Sequence, residues 1–249
     1  DIRFGLFCAM KRILLLLLTT FILADCSDRD KGFGLKVSKD LISWTNGSVR
    51  FEAEKKTSGK RNPNPAFQLY IRDQHGKEIQ MPFDTYALGY GASCPMGNSG
   101  LYKPEHGISN AEILIQTPDQ MVIHLEYDPW IIVDQSITLN KQITLFRDSP
   151  IMKVIDYYDG IFELLNIAAG LSSASTGTIK EIDEGFAIEY PHGVTATIIM
   201  PGVEEKTKTD AIGSVFVRKA ISSGEPLRYY VGISDKGLDY LLDELDKIL

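Results

Sequence analysis

An alternation of apolar and polar residues runs through most of the chain after residue 33. In the segment SVRFEAE, Val49, Phe51 and Ala53 fall on one side and the charged residues on the other. The same period of two recurs in AFQLYIR, QMVIHLEY, IMKVIDYY, SVFVRKAI and LRYYVGI. Successive side chains of a strand point to opposite faces, so this period predicts strands with one buried face. In SITLNKQITLFR the pattern lapses near Asn140, which predicts a bent or interrupted strand.

Short turn signals separate these segments and favour antiparallel neighbours, because parallel strands need long crossovers. Asn46-Gly47, Pro201-Gly202 and Ser223-Gly224 are typical. Only the last segment, GLDYLLDELDKIL, has apolar residues at helical spacing. We therefore predict an all-β protein, in which residues 34–249 form a single large antiparallel β-sandwich with a C-terminal helix.

The N-terminal segment has the features of a secretion signal. Lys11 and Arg12 precede a short apolar run over residues 13–23, too short for a membrane span. We interpret residues 1–9 as upstream non-native sequence and residues 10–25 as a lipoprotein signal peptide.

The sequence LADC resembles a lipobox, although Asp25 stands where that motif has a small residue. CSDRD resembles the tether of surface lipoproteins of Bacteroidetes, which predicts a tether over residues 26–33. Lipidation of Cys26 would anchor the protein to the outer membrane and expose it at the cell surface. Plain secretion is the alternative.

Charge and motif content exclude several classes of protein. The net charge of −7 disfavours nucleic acid as a partner, because phosphates are bound by clusters of Lys and Arg. The chain has no zinc-finger spacing, EF-hand loop or dinucleotide fingerprint, and the Gly-rich stretch over residues 84–102 lacks a P-loop ending. We predict neither a cofactor nor a metal. Cys94 is left without a disulfide partner and is expected to be a small buried residue.

A resemblance to a known family rests on four stretches: residues 84–102, IHLEYDPWIIVDQSITLNKQITLFRDSP, LLNIAAGL and GEPLRYYVGIS. Together they resemble an uncharacterised family of secreted β-sandwich proteins from polysaccharide-degrading Bacteroidetes, itself similar to the galactose-mutarotase-like supersandwich group. The resemblance implies a role in carbohydrate metabolism at the cell envelope. Its usual members are longer before the Gly-rich stretch.

Two histidines are candidates for acid/base chemistry at a sugar ring. His106 and His192 lie at strand edges or loops, and a histidine titrates in the range that such proton transfers need. Asp84, Glu105 or Glu189 would be the carboxylate partner. A structural or surface role is the alternative for each histidine.

Candidate sugar contacts come from aromatic rings and from arginine. Tyr86 and Tyr90 in the Gly-rich stretch, and Trp130, could cover the apolar face of a pyranose ring. Arg218 could hold the carboxylate of a uronic acid. The alternatives are a loop that plugs the sandwich rim, a core position for Trp130 and ordinary surface charge for Arg218.

These observations predict an envelope lipoprotein that binds or processes oligosaccharides, including pectin-like ones that contain uronic acid. Catalysis stays open. Any catalysis is expected to use acid/base carbohydrate chemistry. The alternative is a non-catalytic glycan-binding or structural envelope lipoprotein.

Overall fold

The computed structural model describes residues 33–56, 66–72, 77–82, 88–98, 100–173, 177–209 and 214–249. The predicted signal peptide and Cys26 therefore lie outside the described residues. The elements are β1 (Gly34–Val37), β2 (Leu41–Thr45), β3 (Val49–Glu54), β4 (Gln68–Arg72), β5 (Glu78–Gln80), β6 (Tyr90–Gly97), β7 (Gly100–Leu101), β8 (Ile108–Gln116), β9 (Gln120–Ile132), β10 (Gln135–Phe146), β11 (Ile151–Gly160), β12 (Leu165–Ser172), β13 (Thr178–Ile182), β14 (Gly185–Glu189), β15 (Thr195–Ile199), β16 (Glu205–Thr209), β17 (Ser214–Ile221), β18 (Pro226–Ser234) and α1 (Leu238–Asp246).

These strands form three antiparallel sheets. Their orders are β1-β2-β3-β4-β5, β13-β14-β15-β18-β11-β10-β9-β8 and β16-β17-β12-β6-β7. The first and third sheets are joined where the backbone N–H of Tyr90 donates to the carbonyl of Phe67 at 3.0 Å. One continuous apolar core contains side chains from all three sheets, so the predicted all-β antiparallel sandwich is confirmed.

The strand that was expected to be bent or interrupted near Asn140 is not interrupted. β10 runs unbroken from Gln135 to Phe146, and its register against β9 shifts only between Ile137 and Leu139. Lys141 occupies an inward position between the buried residues Leu139 and Ile143. A polar residue at an inward position hid the alternation, which is why the sequence suggested an interruption.

The Gly-rich stretch is not a rim loop over its described part. Residues 90–97 form β6, a strand paired with β12 and β7, and Cys94 is fully buried there as expected. Gly91 has a φ of 92°, and a Cβ at that position would lie 2.5 Å from Val231 Cγ2. Glycine is needed at residue 91 because the backbone conformation and the close neighbour both exclude a side chain.

The predicted C-terminal helix is confirmed and packs on the eight-stranded sheet. Leu241 and Leu245 form a small cluster with Ile151, Ile199 and Tyr230, separate from the main core. The helix therefore covers part of the face that is turned away from the main core, hereafter the outer face. No helix in the described ranges has the length and apolar character that a membrane span requires.

Candidate functional site

A cleft of about 520 Å³ opens at one end of the sandwich. The β2–β3 turn, the end of β4, the β10–β11 turn, the start of β15 and the segment from the end of β18 into α1 form its walls. Its described lining residues are Gly47, Ser48, Val49, Ile71, Arg72, Asp148, Pro150, Val194, Ile233, Ser234, Asp235, Lys236 and Tyr240. These segments are distant in sequence, so the cleft exists only in the folded chain.

Asn46 fixes one wall of the cleft to another. Its Oδ1 accepts hydrogen bonds from the backbone N–H groups of Ser48 and Val49, both at 3.2 Å, which shapes the β2–β3 turn. Its Nδ2 donates to the carbonyl of Ser149 at 2.8 Å, in the β10–β11 turn. Asn46 is buried, so an ordered contact joins two of the turns that line the cleft.

The cleft combines two cations with an aromatic ring. Arg72 and Lys236 supply positive charge, and Lys236 Nζ lies 4.5 Å from the centre of the Tyr240 ring. Asp148 and Asp235 add carboxylates. Hydrophobic side chains such as Val49, Ile71 and Ile233 complete the lining. This arrangement suits a polar ligand with an anionic group, because guanidinium and ammonium groups donate charge-assisted hydrogen bonds to carboxylates.

The histidines that were predicted to be acids do not lie in this cleft. His106 is half-buried in the segment after β7, and His192 is exposed in the turn between β14 and β15. Within the described ranges, neither forms a side-chain hydrogen bond or ion pair. Glu189 instead pairs with Lys180 at 2.6 Å, and Asp84 lies outside the described residues. Among the described residues, neither histidine therefore lies against a predicted carboxylate partner.

Three of the predicted sugar-contact residues, Tyr90, Trp130 and Arg218, lie outside the cleft. The Tyr90 ring is fully buried, and its hydroxyl donates to the carbonyl of Pro82 at 2.5 Å. Trp130 is 2% exposed and packs against Tyr158, so these two rings offer no free face to a sugar. Arg218 forms an ion pair with Glu205 across β16 and β17. Tyr86 lies outside the described residues.

A second group of polar side chains is enclosed in the sandwich, where we had predicted no site from the sequence. The group consists of Ser93, Lys141, Asp156, Tyr158 and Tyr229, hereafter the core network, and each member is at most 3% exposed. Lys141 Nζ lies 2.5 Å from Asp156 Oδ1 and donates to the Tyr229 hydroxyl at 2.8 Å. The sequence does indicate this group, because Lys141 and Asp156 are polar residues at inward positions of two strands with strong alternation.

The core network is internally satisfied. Ser93 bonds both Asp156 and Tyr158, and Tyr229 donates to the carbonyl of Gly91 at 2.8 Å. Burial lowers the pKa of Lys141, and the charge of Asp156 acts in the opposite direction. Burial also raises the pKa of Tyr158 and of Tyr229 well above the usual value.

The core network contains groups that catalyse reactions in open sites, since a serine beside a lysine can be an activated nucleophile. Ser93 and Lys141 are 3.1 Å apart but are sealed between the sheets. Burial also raises the pKa of the neighbouring Cys94 thiol to about 12, which keeps it unreactive. We therefore assign the core network a structural role.

Asp156 and Asp159 lie three residues apart on β11, and their side chains face opposite sides of the sheet. Asp156 is buried in the core network, whereas Asp159 is exposed and accepts a hydrogen bond from Ser223 at 3.0 Å. They cannot serve as a carboxylate pair across one substrate.

Comparison with known proteins gives the fold and no family. No protein-family model and no curated protein sequence matches the chain. A crystal structure of active YidC insertase superposes with a TM-score of 0.57 at 10% identity, over 96% of this chain and 49% of that one. Heparan sulfate lyase HepC from Pedobacter heparinus gives a TM-score of 0.53 at 9% identity, over 83% of this chain and 37% of that one.

This protein shares its fold with both. It spans about half of the insertase chain and little more than a third of the lyase chain. At such low identity the likeness establishes the all-β architecture, and a carbohydrate-active enzyme is among the proteins that have it.

Proposed function

We propose that this protein binds acidic oligosaccharides in the cleft at the end of the sandwich. The observation that carries the proposal is the meeting of Arg72, Lys236 and Tyr240 in one open cleft. The volume of about 520 Å³ lies within the range of roughly 300–1,000 Å³ that small-ligand sites occupy.

The chemistry of the lining fits a uronic acid better than a neutral sugar. Arg72 can grip a carboxylate with two parallel N–H donors, and Lys236 adds a second positive charge. Ser48 and Ser234 offer hydroxyl groups, and Tyr240 offers a ring and a phenol to a sugar. The shared fold of a heparan sulfate lyase supports a carbohydrate ligand by analogy of architecture.

Binding without catalysis is the form of the function that we propose. The two histidines that were predicted as acids, His106 and His192, lie outside the cleft. The cleft has other proton donors, such as Lys236 and Tyr240, so its test follows product formation as well as binding. The protein would then capture oligosaccharides for enzymes of polysaccharide utilisation.

The test is a calorimetric titration with oligogalacturonates and with neutral oligosaccharides of equal length, followed by chromatography of the mixtures. Arg72→Ala should weaken binding of the acidic ligand roughly tenfold or more, because a charge-assisted hydrogen bond contributes about 1.5–3 kcal/mol. Arg218→Ala is the matched control and should bind normally. Equal affinity in Arg72→Ala and wild type would refute the cleft as the site, and product formation would refute binding without catalysis.

A second candidate is a non-catalytic interaction module of the cell envelope. The likeness to the insertase, over 96% of this chain, supports it by analogy of fold alone. The same titration separates the two functions. Absence of binding to all acidic and neutral oligosaccharides would support the interaction module and reject the glycan-binding proposal.

We also propose that Cys26 carries a lipid that holds the protein at the outer membrane, facing the cell surface. The proposal rests on the apolar run that ends in LADC and on the acidic tether after it. A labelled fatty acid should enter the wild-type chain but not Cys26→Ala. Equal labelling of both chains would reject the anchor.

A further inference from the structure

One histidine and two glutamates meet on the outer face of the eight-stranded sheet, near its β8 edge. His124 Nδ1 lies 3.4 Å from Glu112 Oε1 and 3.8 Å from Glu126 Oε1. One potential ligand atom from each side chain lies within 4.8 Å of the other two. The three side chains are 17%, 53% and 42% exposed in the order His124, Glu112 and Glu126. The cluster is thus accessible to an ion from solvent.

Strand pairing holds the three residues together. Glu112 of β8 lies directly opposite His124 of β9, so their side chains project from the same face. Glu126 is two residues beyond His124 on the same strand and therefore shares that face. Two paired strands fix the backbone positions, and only side-chain rotations are needed to adjust the three ligand atoms.

The distances are those of metal ligands. Zinc ligands from histidine and carboxylate lie about 2.1 Å from the ion, so a tetrahedral site has ligand–ligand distances of about 3.4 Å. The separations of 3.4 and 3.8 Å lie close to that value, and the two carboxylate oxygens lie within 4.8 Å of each other.

The charge balance around the cluster favours a cation. Among the described residues, His124 is the only basic side chain within 4 Å of either carboxylate. Other glutamates on the described sheets have lysine or arginine partners, such as Glu78 with Arg50 and Glu181 with Lys206. A divalent ion would supply the positive charge that Glu112 and Glu126 lack.

Neutral oxygen ligands adjoin the cluster on its other side. Gln142 of β10 lies opposite His124, and Asn140 lies opposite Glu126, so both amides share the outer face. An amide oxygen or a water can complete the coordination of a metal held by three protein ligands.

We propose that Glu112, His124 and Glu126 form a binding site for a divalent transition metal, with Zn²⁺ as the reference ion. One imidazole nitrogen and two carboxylates suit Zn²⁺ and its first-row neighbours, whereas Ca²⁺ prefers a shell made only of oxygen. With three protein ligands, the ion would keep a position open to solvent or to a ligand.

The test is a calorimetric titration of the full chain with Zn²⁺, after treatment with chelator. All proteins carry Cys8→Ser and Cys26→Ser, because thiolates also bind zinc. We expect saturable binding of one ion, weakened at least tenfold by His124→Ala, and no displacement by a tenfold excess of Ca²⁺. His192→Ala is the matched control, since it removes an exposed histidine outside the cluster.

Glu112→Gln combined with Glu126→Gln provides an independent test that keeps the shape of both side chains. This double variant should also weaken Zn²⁺ binding at least tenfold, with Glu163→Gln as the carboxylate control. Absence of a one-ion binding step in the parent protein would overturn the proposal. An affinity unchanged by loss of His124 or of both carboxylates, or equal competition by Ca²⁺, would do so as well.

Discussion

The core network and the cleft contain nearly the same chemical groups, but only the cleft is open to solvent. Each contains serine hydroxyl, a lysine ammonium, an aspartate carboxylate and a tyrosine phenol. In the core network these groups bond one another: Lys141 donates to Asp156, Ser93 and Tyr229. In the cleft, the Lys236 ammonium lies over the Tyr240 ring at the molecular surface.

The difference shows that solvent access distinguishes a structural cluster from a binding site more clearly than residue type does. Within the described ranges, Trp44 Nε1 is the single buried side-chain polar atom without a hydrogen-bond partner, so every buried polar side-chain atom of the core network has at least one partner. A buried network whose polar groups are hydrogen-bonded to one another specifies how the sheets pack. Polar groups that are open to solvent can instead exchange bound water for a ligand.

The largest effect is expected from breaking the buried ion pair. Lys141→Met leaves the Asp156 carboxylate without its cation in the core, which should lower the free energy of unfolding by about 3–5 kcal/mol. Urea denaturation measures this loss. The double variant Lys141→Met with Asp156→Leu should recover part of the stability, because no charge is then buried. A loss below about 1 kcal/mol in the single variant would contradict a closed, satisfied network.

The next largest effect is expected at alkaline pH, which should lower the free energy of unfolding through the core network. The unfolded chain releases tyrosine protons near pH 10, but the folded chain retains those of Tyr158 and Tyr229, because burial raises the pKa of each. The stabilisation is therefore fully present below about pH 10 and is lost above it, by about 1.4 kcal/mol per pH unit for each tyrosine.

Urea denaturation at pH 9, 10 and 11 follows this loss. Tyr229→Phe removes one of the titrating groups and should make the decline less steep. Lys141, whose pKa is lowered, contributes in the opposite direction only below the ordinary lysine pKa of about 10.4. A free energy of unfolding that stays level from pH 9 to 11 would show that these tyrosines are not sealed in the core.

The smallest effect on stability is expected in the cleft. Arg72→Gln and Lys236→Gln should each change the free energy of unfolding by no more than about 0.5 kcal/mol, because substitutions away from the core rarely do more. The same two variants should lose affinity for acidic oligosaccharides. A large loss of stability in either one would mean that the cleft is a structural contact, as the core network is.

Much of the architecture follows from local pattern alone. Alternation predicted the strands, the Asn46-Gly47 signal marked a turn that shapes the cleft, and the spacing of Leu241 and Leu245 predicted the helix. The Gly-rich stretch was misread because glycine serves both loops and tightly packed strands. At Gly91 the reason for glycine is Val231, a neighbour 140 positions away that local sequence does not reveal.

The candidate sites depend on which distant strands pair and in which register. Local sequence patterns do not reveal most of this pairing. Arg72, Asp148 and Lys236 come from three distant segments that meet only after the sheets pack. The alternation in QMVIHLEY puts His124 on the face opposite the buried residues of its strand. The contact of His124 with Glu112 depends on the pairing of β8 with β9. Irregularities near Ile108 and Ile113 change which residues of the two strands lie opposite each other.

The ratio of two dissociation constants tests the central claim most directly. Calorimetry would compare an acidic and a neutral oligosaccharide of equal length, in wild type and in the Arg72→Gln, Lys236→Gln double variant. We predict at least roughly tenfold preference for the acidic ligand in wild type, from one charge-assisted contact, and a ratio near one in the folded double variant. A ratio that the double substitution leaves unchanged would contradict the cleft as the binding site.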